Sequence, residues 1–280
     1  MKVLVTGANG YIGQHVAASL LNAGHEVIAA DMVFDNVDPR AKQLKMSIFE
    51  SDEKIFERTG SPDVCIHMAW RNGFVHNADS HVLDLPGHYM FVKNMISGGL
   101  KHLVIMGSMH EVGYWEGAID ENSPTNPKSA YGVAKNSLRQ LTEQLVANTD
   151  VCFQWIRGYY IMGDDLKNHS IFTKISEAAR DGKKEFPFTS GKNKYDFLEV
   201  SELAAQILAV VEQTKVSGII NCCSGKPVSL AEKVEQYIKD KNLDIKLAYG
   251  AYPDRPYDSP AVWGNPDKIM AVLNARKGNA

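Results

Sequence analysis

The chain has 280 residues, of which 44% are hydrophobic and 22% charged, the balance of an ordinary globular protein with enough apolar surface for a large core. Its 30 Lys and Arg residues against 33 Asp and Glu give a net charge of −3, so a nucleic-acid partner is not expected. No apolar run reaches the roughly 18–20 residues of a bilayer span, and we predict no transmembrane helix and no membrane partner. Four cysteines without metal-ligand spacing are typical of reduced core residues in a cytoplasmic protein.

Short apolar runs alternate with longer segments of helical periodicity, which is the pattern of a parallel sheet wrapped by helices. In chain order, the sequence predicts strand 2–6, helix 11–23, strands 26–30 and 63–68, helix 81–98, strand 101–106, helix 129–147, strand 151–157 and helices 201–213 and 230–239. Beyond about Gly163 the alternation weakens. We therefore expect an α/β fold with a doubly wound parallel sheet in 1–163, to which 199–215 returns, and a smaller interleaved C-terminal α/β lobe formed by 164–198 and 216–280.

A glycine-rich turn follows the first predicted strand and opens the first predicted helix. Gly7, Gly10 and Gly13 stand at a G-x-x-G-x-x-G spacing. Glycines suit such a turn because a side chain would block the approach of a pyrophosphate, which the helix N-terminus then attracts. The position predicts a Rossmann-type dinucleotide site, whose turn also contains Asn9, Tyr11 and Ile12.

Asp31 follows the second predicted strand. A carboxylate there can accept hydrogen bonds from both ribose hydroxyls of NAD and would repel the 2′-phosphate of NADP. No Arg or Lys comes directly after it in the sequence. These features favour NAD as the cofactor.

Tyr131 and Lys135 lie one helical turn apart, so that a cation can lower the pKa of a phenol beside it. Tyr89 with Lys93 and Tyr237 with Lys241 have the same spacing, so the spacing alone decides little. Tyr131 is distinguished because it begins a predicted helix after Ser108, which ends an apolar strand. The three side chains form a candidate catalytic group.

With these motifs the chain resembles an extended short-chain dehydrogenase/reductase of the NAD-dependent epimerase/dehydratase family, whose members modify nucleotide sugars. The matching segments are the glycine turn, His67-Met68-Ala69-Trp70 against a family His-Leu-Ala-Ala, Ser108 with Gly113, and Tyr131 with Lys135. The resemblance implies that Tyr131 is the acid/base, that Lys135 lowers its pKa and holds the nicotinamide ribose, and that Ser108 hydrogen-bonds the reacting oxygen. It also implies that Met68, Ala69, Trp70 and Tyr160 contact the cofactor.

The C-terminal part resembles the substrate end of nucleotide-sugar enzymes. The segment that begins at Arg255 is similar to one in UDP-galactose 4-epimerases, which implies that Arg255 grips the diphosphate of the substrate. A family arginine is replaced here by Tyr195, with Lys192 nearby as a further candidate for substrate binding.

Other positions depart from the family pattern. Met109 and His110 stand where the dehydratases carry Asp and Glu, which disfavours a 4,6-dehydratase. His110 and His169 are candidates for orienting the substrate, and as a pair they could serve a C3/C5 epimerisation. Tyr160 replaces a family asparagine and is a candidate for both cofactor and substrate contacts.

His81, Asp84 and His88 fall on one face of the predicted helix 81–98 and imitate a metal site. Without an established metal motif, we expect a solvated or interface face there and no metal.

The sequence leaves four functions open. The leading prediction is an NADH-dependent 4-ketoreductase of a nucleotide sugar. A 4-epimerase with tightly bound NAD needs the same Ser108, Tyr131 and Lys135. A uronate or aldose dehydrogenase and a non-catalytic NAD-binding protein are further alternatives. By resemblance, a role in polysaccharide synthesis and a homodimer formed through helices 81–98 and 129–147 are also expected.

Overall fold

The computed structural model describes residues 1–163, 170–254 and 259–278. Its strands are β1 Lys2–Thr6, β2 Glu26–Asp31, β3 Lys42–Lys45, β4 Val64–His67, β5 His102–Ser108, β6 Gly117–Ile119, β7 Cys152–Gly158, β8 Tyr160–Met162, β9 Glu185–Pro187, β10 Lys194–Glu199, β11 Gly218–Cys222, β12 Pro227–Ser229, β13 Lys246–Ala248 and β14 Ala261–Gly264. Its α-helices are α1 Tyr11–Asn22, α2 Ile55–Arg58, α3 Ser80–Leu83, α4 Leu85–Ser97, α5 Ala130–Val146, α6 Ile171–Arg180, α7 Val200–Val211, α8 Leu230–Asp240 and α9 Asp267–Gly278.

The central sheet has seven parallel strands in the order β11-β7-β5-β4-β1-β2-β3. Successive side chains of β1 point to opposite faces, so Val3 and Val5 join one apolar core and Leu4 joins the other. Helices α1 and α7 pack on the first face, and α4 and α5 pack on the second. This confirms the predicted α/β class with a doubly wound parallel sheet.

The strand order reverses between β1 and β4. In open α/β sheets, ligands bind outside the carboxyl ends of the strands at such a reversal. The glycine turn follows β1, the segment Met68–Trp70 follows β4, and Ser108 ends β5. The fold therefore brings three of the predicted motifs to one edge of the sheet.

The predicted helix 81–98 is two helices, α3 and α4, which are separated at Asp84. Pro86 lies in the first turn of α4. Proline has no N–H to donate and its ring clashes with the preceding turn, so it starts a new helix instead of continuing the old one. The prediction of a single helix was wrong for this reason.

A second sheet has the order β12-β10-β14-β6, with β8 paired to β10, and β9 pairs with β13. The sequence assigns β11 to the smaller lobe, because that lobe is predicted to include 216–280. In the structure β11 lies at the edge of the central sheet, where it pairs in parallel with β7. Similarly, β6 and β8 belong to the second sheet although 1–163 contains them. The division into two lobes itself stays a prediction.

Helix α7, within the predicted return segment 199–215, packs against α1 on the central sheet. In the three described ranges, no helix is both long enough and apolar enough to cross a membrane.

Candidate active site

The glycine turn between β1 and α1 is too close-packed for side chains. Gly7 has a φ of 69°, and a Cβ on it would lie 2.7 Å from the backbone of Ala69. A Cβ on Gly13 would lie 2.1 Å from the carbonyl oxygen of Gly7. Gly10 is the N-cap of α1 and offers no side chain to cap the first N–H groups of that helix. The turn therefore leaves a cradle that fits a pyrophosphate against backbone N–H groups.

Tyr11 and Ile12 are the first two residues of α1. The ring of Tyr11 lies edge-on to that of His15, with centroids 6.2 Å apart, and Ile12 packs on the apolar core. Met68 and Ala69 are tied to the turn by Thr6, whose hydroxyl oxygen accepts both of their backbone N–H groups at 3.2 and 3.3 Å. The two predicted cofactor segments thus lie against each other.

Asp31 is the last residue of β2 and holds the turn from the side. One of its carboxylate oxygens accepts the backbone N–H of Asn9 at 3.0 Å, and the other accepts that of Met32 at 2.7 Å. The side-chain oxygen of Asn9 in turn accepts the N–H of Asn36 at 2.8 Å. The carboxylate is placed beside the glycine turn, where the sequence predicts a ribose contact.

Ser108 begins a single turn of 3-10 helix over Met109–Glu111. Its hydroxyl accepts the N–H of His110, and its own N–H donates to Glu111 at 2.6 Å, which together form a capping box. Glu111 is fully buried and also accepts the indole N–H of Trp155 at 3.0 Å. Ser108 is consequently fixed at the end of β5 by buried bonds.

Tyr131 is the second residue of α5, whose N-cap is Ser129. Burial raises the pKa of Tyr131 to about 12, whereas hydrogen bonding with the Ser108 side chain acts to lower it. The structure therefore brings the predicted hydroxyl pair together.

Lys135 lies one turn further along α5 and is 3% exposed. Its ammonium donates to the carbonyl of Met106 at 2.7 Å and lies 3.9 Å from the centre of the Trp70 ring. Burial lowers its pKa to about 7, and the charge of Glu111 opposes that shift. The predicted effect of Lys135 on the pKa of Tyr131 stays a prediction.

His67, His81 and His88 are buried around Trp70, and the expectation of a solvated or interface face was wrong. The break at Asp84 separates His81 from His88, and each has its own partner, because Trp70 donates to His81 while His88 bonds to His67. Asp84 forms an ion pair with Arg71. Within the described residues, no three His, Cys, Asp or Glu side chains are grouped as metal ligands.

Met109 and His110 follow Ser108 directly, and His110 is half-buried beside Tyr131, with ring centroids 6.0 Å apart. Burial and, to a lesser degree, the charge of His76 lower the pKa of His110 to about 4. Tyr160 lies in β8 with its ring 4.3 Å from that of Tyr195. Lys192 is exposed in the turn before β10.

The two remaining candidates, His169 and Arg255, lie outside the described residues.

The comparisons with known proteins agree with this geometry. Residues 3–223 match the NAD dependent epimerase/dehydratase family. The chain belongs to that family.

Relatives include a dTDP-6-deoxy-L-talose 4-dehydrogenase (NAD(+)) of Aggregatibacter actinomycetemcomitans, which is 44% identical over 271 residues, covering 94% of this chain and 99% of that protein. A UDP-glucose 4-epimerase of Lactobacillus helveticus is 24% identical over 307 residues, covering 97% of this chain and 88% of that protein. A UDP-glucuronic acid 4-epimerase from Bacillus cereus, solved with UDP-glucuronic acid and NAD, has a TM-score of 0.82 at 20% identity, covering 98% of this chain and 93% of that one. This last likeness shows the fold.

As a member of the NAD-dependent epimerase/dehydratase family the chain is an enzyme, and the predicted family and the predicted cofactor, NAD, are confirmed. The cradle at Gly7 and Gly13 fits that cofactor because both positions exclude side chains.

Two residues beside the candidate catalytic group were missed by the sequence analysis. The ring of His76 stacks on that of Tyr131, and its backbone carbonyl accepts the N–H of Tyr131 at 2.8 Å. Glu111 holds Ser108. A carboxylate three residues after Ser108 is the signal of a capping box and could have indicated Glu111. Nothing in the sequence around His76 points to Tyr131.

Proposed function

We propose that this enzyme is an NAD(H)-dependent 4-ketoreductase of a nucleoside-diphosphate 6-deoxyhexose, which also runs in reverse as a 4-dehydrogenase. The observation that carries the proposal is the 44% identity, over nearly the full length of both chains, to a protein named for 4-dehydrogenation of such a sugar. The relation of Ser108 to Tyr131 supports it, since a reaction at a ring carbon needs a hydrogen-bond donor and an acid/base at one oxygen.

NAD(H), when bound, supplies or accepts the hydride. Ser108 hydrogen-bonds the oxygen at C4, and Tyr131 exchanges the proton of that oxygen. Burial raises the pKa of Tyr131 to about 12, so its phenol carries a proton at neutral pH, which it can pass to the C4 oxygen when the sugar is reduced. Lys135 places its charge behind this pair and holds the nicotinamide ribose.

The substrate contacts are proposals from the resemblance. Arg255 grips the diphosphate, and Lys192 adds charge to the same end of the substrate. His110, with Met109, orients the sugar beside Tyr131, and His169 is a further candidate for orienting the sugar. Tyr160 forms part of the wall between cofactor and substrate.

We also propose a cytoplasmic homodimer that serves polysaccharide synthesis. Exposed apolar side chains on α4 and α5 support the dimer, namely Met90, Val133 and Leu141, which are 42%, 46% and 41% exposed. Sedimentation tests it, because Leu141→Glu places a charge in that interface and is expected to shift the protein to monomers. Sedimentation of the variant as a dimer would remove α5 from the interface.

The reaction is tested by mixing the purified enzyme with NADH and a dTDP-4-keto-6-deoxyhexose. We expect stoichiometric loss of NADH absorbance and a 4-hydroxy product. Tyr131→Phe should lower kcat by about 10²- to 10⁴-fold while NADH still binds. Full activity of Tyr131→Phe would show that Tyr131 is not the acid/base.

A 4-epimerase is the second candidate, since the 24% identical relatives include enzymes of that name. The two reactions differ in their use of cofactor, because an epimerase regenerates NAD in each turnover. Interconversion of two nucleotide hexoses without net change in NADH, together with stoichiometric NAD⁺ released on denaturation, would establish the epimerase. Oxidation of a free uronate or aldose would instead establish a sugar dehydrogenase.

A further inference from the structure

The ammonium of Lys135 lies over the face of an indole ring. Its distance to the centre of the Trp70 ring is 3.9 Å, well inside the roughly 6 Å within which a cation is attracted to an aromatic face. The ammonium also donates a hydrogen bond to the Met106 carbonyl. Tryptophan gives the strongest attraction of the aromatic side chains, and the attraction grows when the cation is removed from water, as it is here.

Trp70 is itself held from its edge. Its indole N–H donates to Nδ1 of His81 at 3.0 Å, so that nitrogen carries no proton. The other ring nitrogen of His81 then donates to the carbonyl of Val75 at 3.0 Å. The two bonds fix the tautomer of His81 and the plane of the indole together.

A second histidine supports the indole across its ring. His88 is stacked with Trp70, with centroids 4.4 Å apart and planes at 18°. Its Nδ1 lies 2.9 Å from Nε2 of His67, and a bond between those two nitrogens needs one donor and one acceptor. Burial lowers the pKa of His88 to about 3, so the ring beneath the indole is neutral and does not repel Lys135.

We propose that Trp70 is a positioning residue, which holds the protonated form of Lys135 against its indole face by a cation–π interaction. The family segment that this chain resembles has alanine at this position, so the interaction distinguishes this protein from that pattern. The link to turnover rests on the proposed function, because it assumes that Lys135 acts with Tyr131.

The ionisable groups around Lys135 explain why such an interaction has an effect. They come from four elements and are Glu111 after β5, His67 in β4, His88 in α4 and Tyr131 in α5. Of these, Glu111 favours the charged form of Lys135. Burial disfavours that form and lowers the pKa of Lys135 to about 7. Because this pKa is near neutral pH, the loss of a single attractive contact changes the fraction of Lys135 that is charged at neutral pH.

Fluorinated tryptophans test the proposal because fluorine weakens the π face while leaving the ring in place. The chain has four tryptophans, so a tryptophan-auxotrophic host would supply 5-fluoro-, 5,7-difluoro- or tetrafluorotryptophan at all of them. The matched control is Trp70→Phe grown on the same series, in which Trp115, Trp155 and Trp263 carry the label. Lysine labelled with ¹³C at Cε reports the pKa of Lys135, whose signal is assigned by its loss in Lys135→Met.

We expect the pKa of Lys135 to fall stepwise with fluorination, by about one unit in the tetrafluoro protein. In the Trp70→Phe series fluorination should leave it unchanged. The pH at which kcat declines on the alkaline side should fall in parallel, whereas a merely structural role would change stability without moving that limb. An unchanged pKa in the parent series, or an equal fall in both series, would overturn the proposal.

The titration is read without substrate, so it also separates this inference from the proposed function. A stepwise fall of the pKa in a protein that reduces no 4-keto nucleotide sugar supports the role of Trp70 on Lys135. That result would discard the proposed reaction alone.

Discussion

The imidazole of His76 lies nearly parallel to the phenol ring of Tyr131, with centroids 5.5 Å apart and an interplanar angle of 12°. His76 also approaches the ring of His110, with centroids 4.4 Å apart, and the ring of His110 lies 6.0 Å from that of Tyr131. The three rings therefore pack against one another, and His76 touches both the candidate acid/base and a candidate substrate contact. Side chains that fix such a ring set the direction in which its hydroxyl points.

We expect His76→Ala to lower kcat by about 10- to 100-fold, because the phenol of Tyr131 loses the ring that holds its orientation. His76→Phe keeps a flat ring and should retain most of the activity. Val75→Ala, on an exposed side chain of the same segment, is the matched control for folding. Steady-state kinetics of the three variants decide the point, and equal rates for His76→Ala and the parent would refute it.

Glu111→Gln should destabilise the fold by about 3 kcal/mol or more, because it leaves the buried charge of Arg157 without a counter-charge. The glutamine still offers an oxygen to the N–H of Ser108, so the loss reports the ion pair and not the capping bond. Urea unfolding followed by circular dichroism measures it. Glu143→Gln removes the exposed partner of Arg139 and should cost at most about 1 kcal/mol. Similar unfolding midpoints for the two variants would contradict the assignment.

The protein should lose stability as the pH falls below about 6.5. Burial lowers the pKa of His88 to about 3 and that of His110 to about 4 from a usual 6.5, so the unfolded chain binds more protons than the native one between these values. The free energy of unfolding therefore rises with pH across this window, by up to about 1.4 kcal/mol per pH unit for each histidine. Denaturant unfolding of the parent and of His110→Asn measures the difference, since the variant should show the smaller slope. Parallel curves would show that His110 does not titrate in this way.

Asp31→Asn should relax the preference for NAD over NADP. The amide keeps an oxygen for the N–H of Met32 but removes the charge that would repel a 2′-phosphate. The ratio of kcat/KM for NADH and NADPH is the measurement, and we expect it to fall by about tenfold or more, as for the loss of about 1.4 kcal/mol of discrimination. An unchanged ratio would assign the preference to another group.

The sequence predicted best the parts of the fold whose signals are local. Strand β1 has the predicted bounds, because its apolar run stops at Gly7, and both signals lie within a few residues of one another in the sequence. Strand β3 was missed because its Lys42–Lys45 segment is polar and pairs only at the sheet edge, where one-sided burial removes the apolar signal.

The residues of the candidate site also differ in how far the sequence could predict their contacts. Tyr131 and Lys135 share a helix, so their relation could be anticipated from spacing and context. The burial of His67 against His88 could not, because it depends on how α4 packs against β4, and a histidine alone indicates neither a core nor a surface position. The stacking of His76 on Tyr131 likewise exists only once the segment after β4 packs against the first turn of α5.

The segment that contains His76 and Asn77 has a consequence for the choice of substrates. It bonds to the first turn of α5 twice, since the carbonyl of His76 accepts the N–H of Tyr131 and the side chain of Asn77 accepts that of Ala130. On the proposed function, a sugar too bulky for the site is expected to push this segment outward and to disturb the start of the helix that carries the candidate acid/base. Such a molecule could enter and yet be converted slowly, so that discrimination among sugars is expressed in kcat more than in KM.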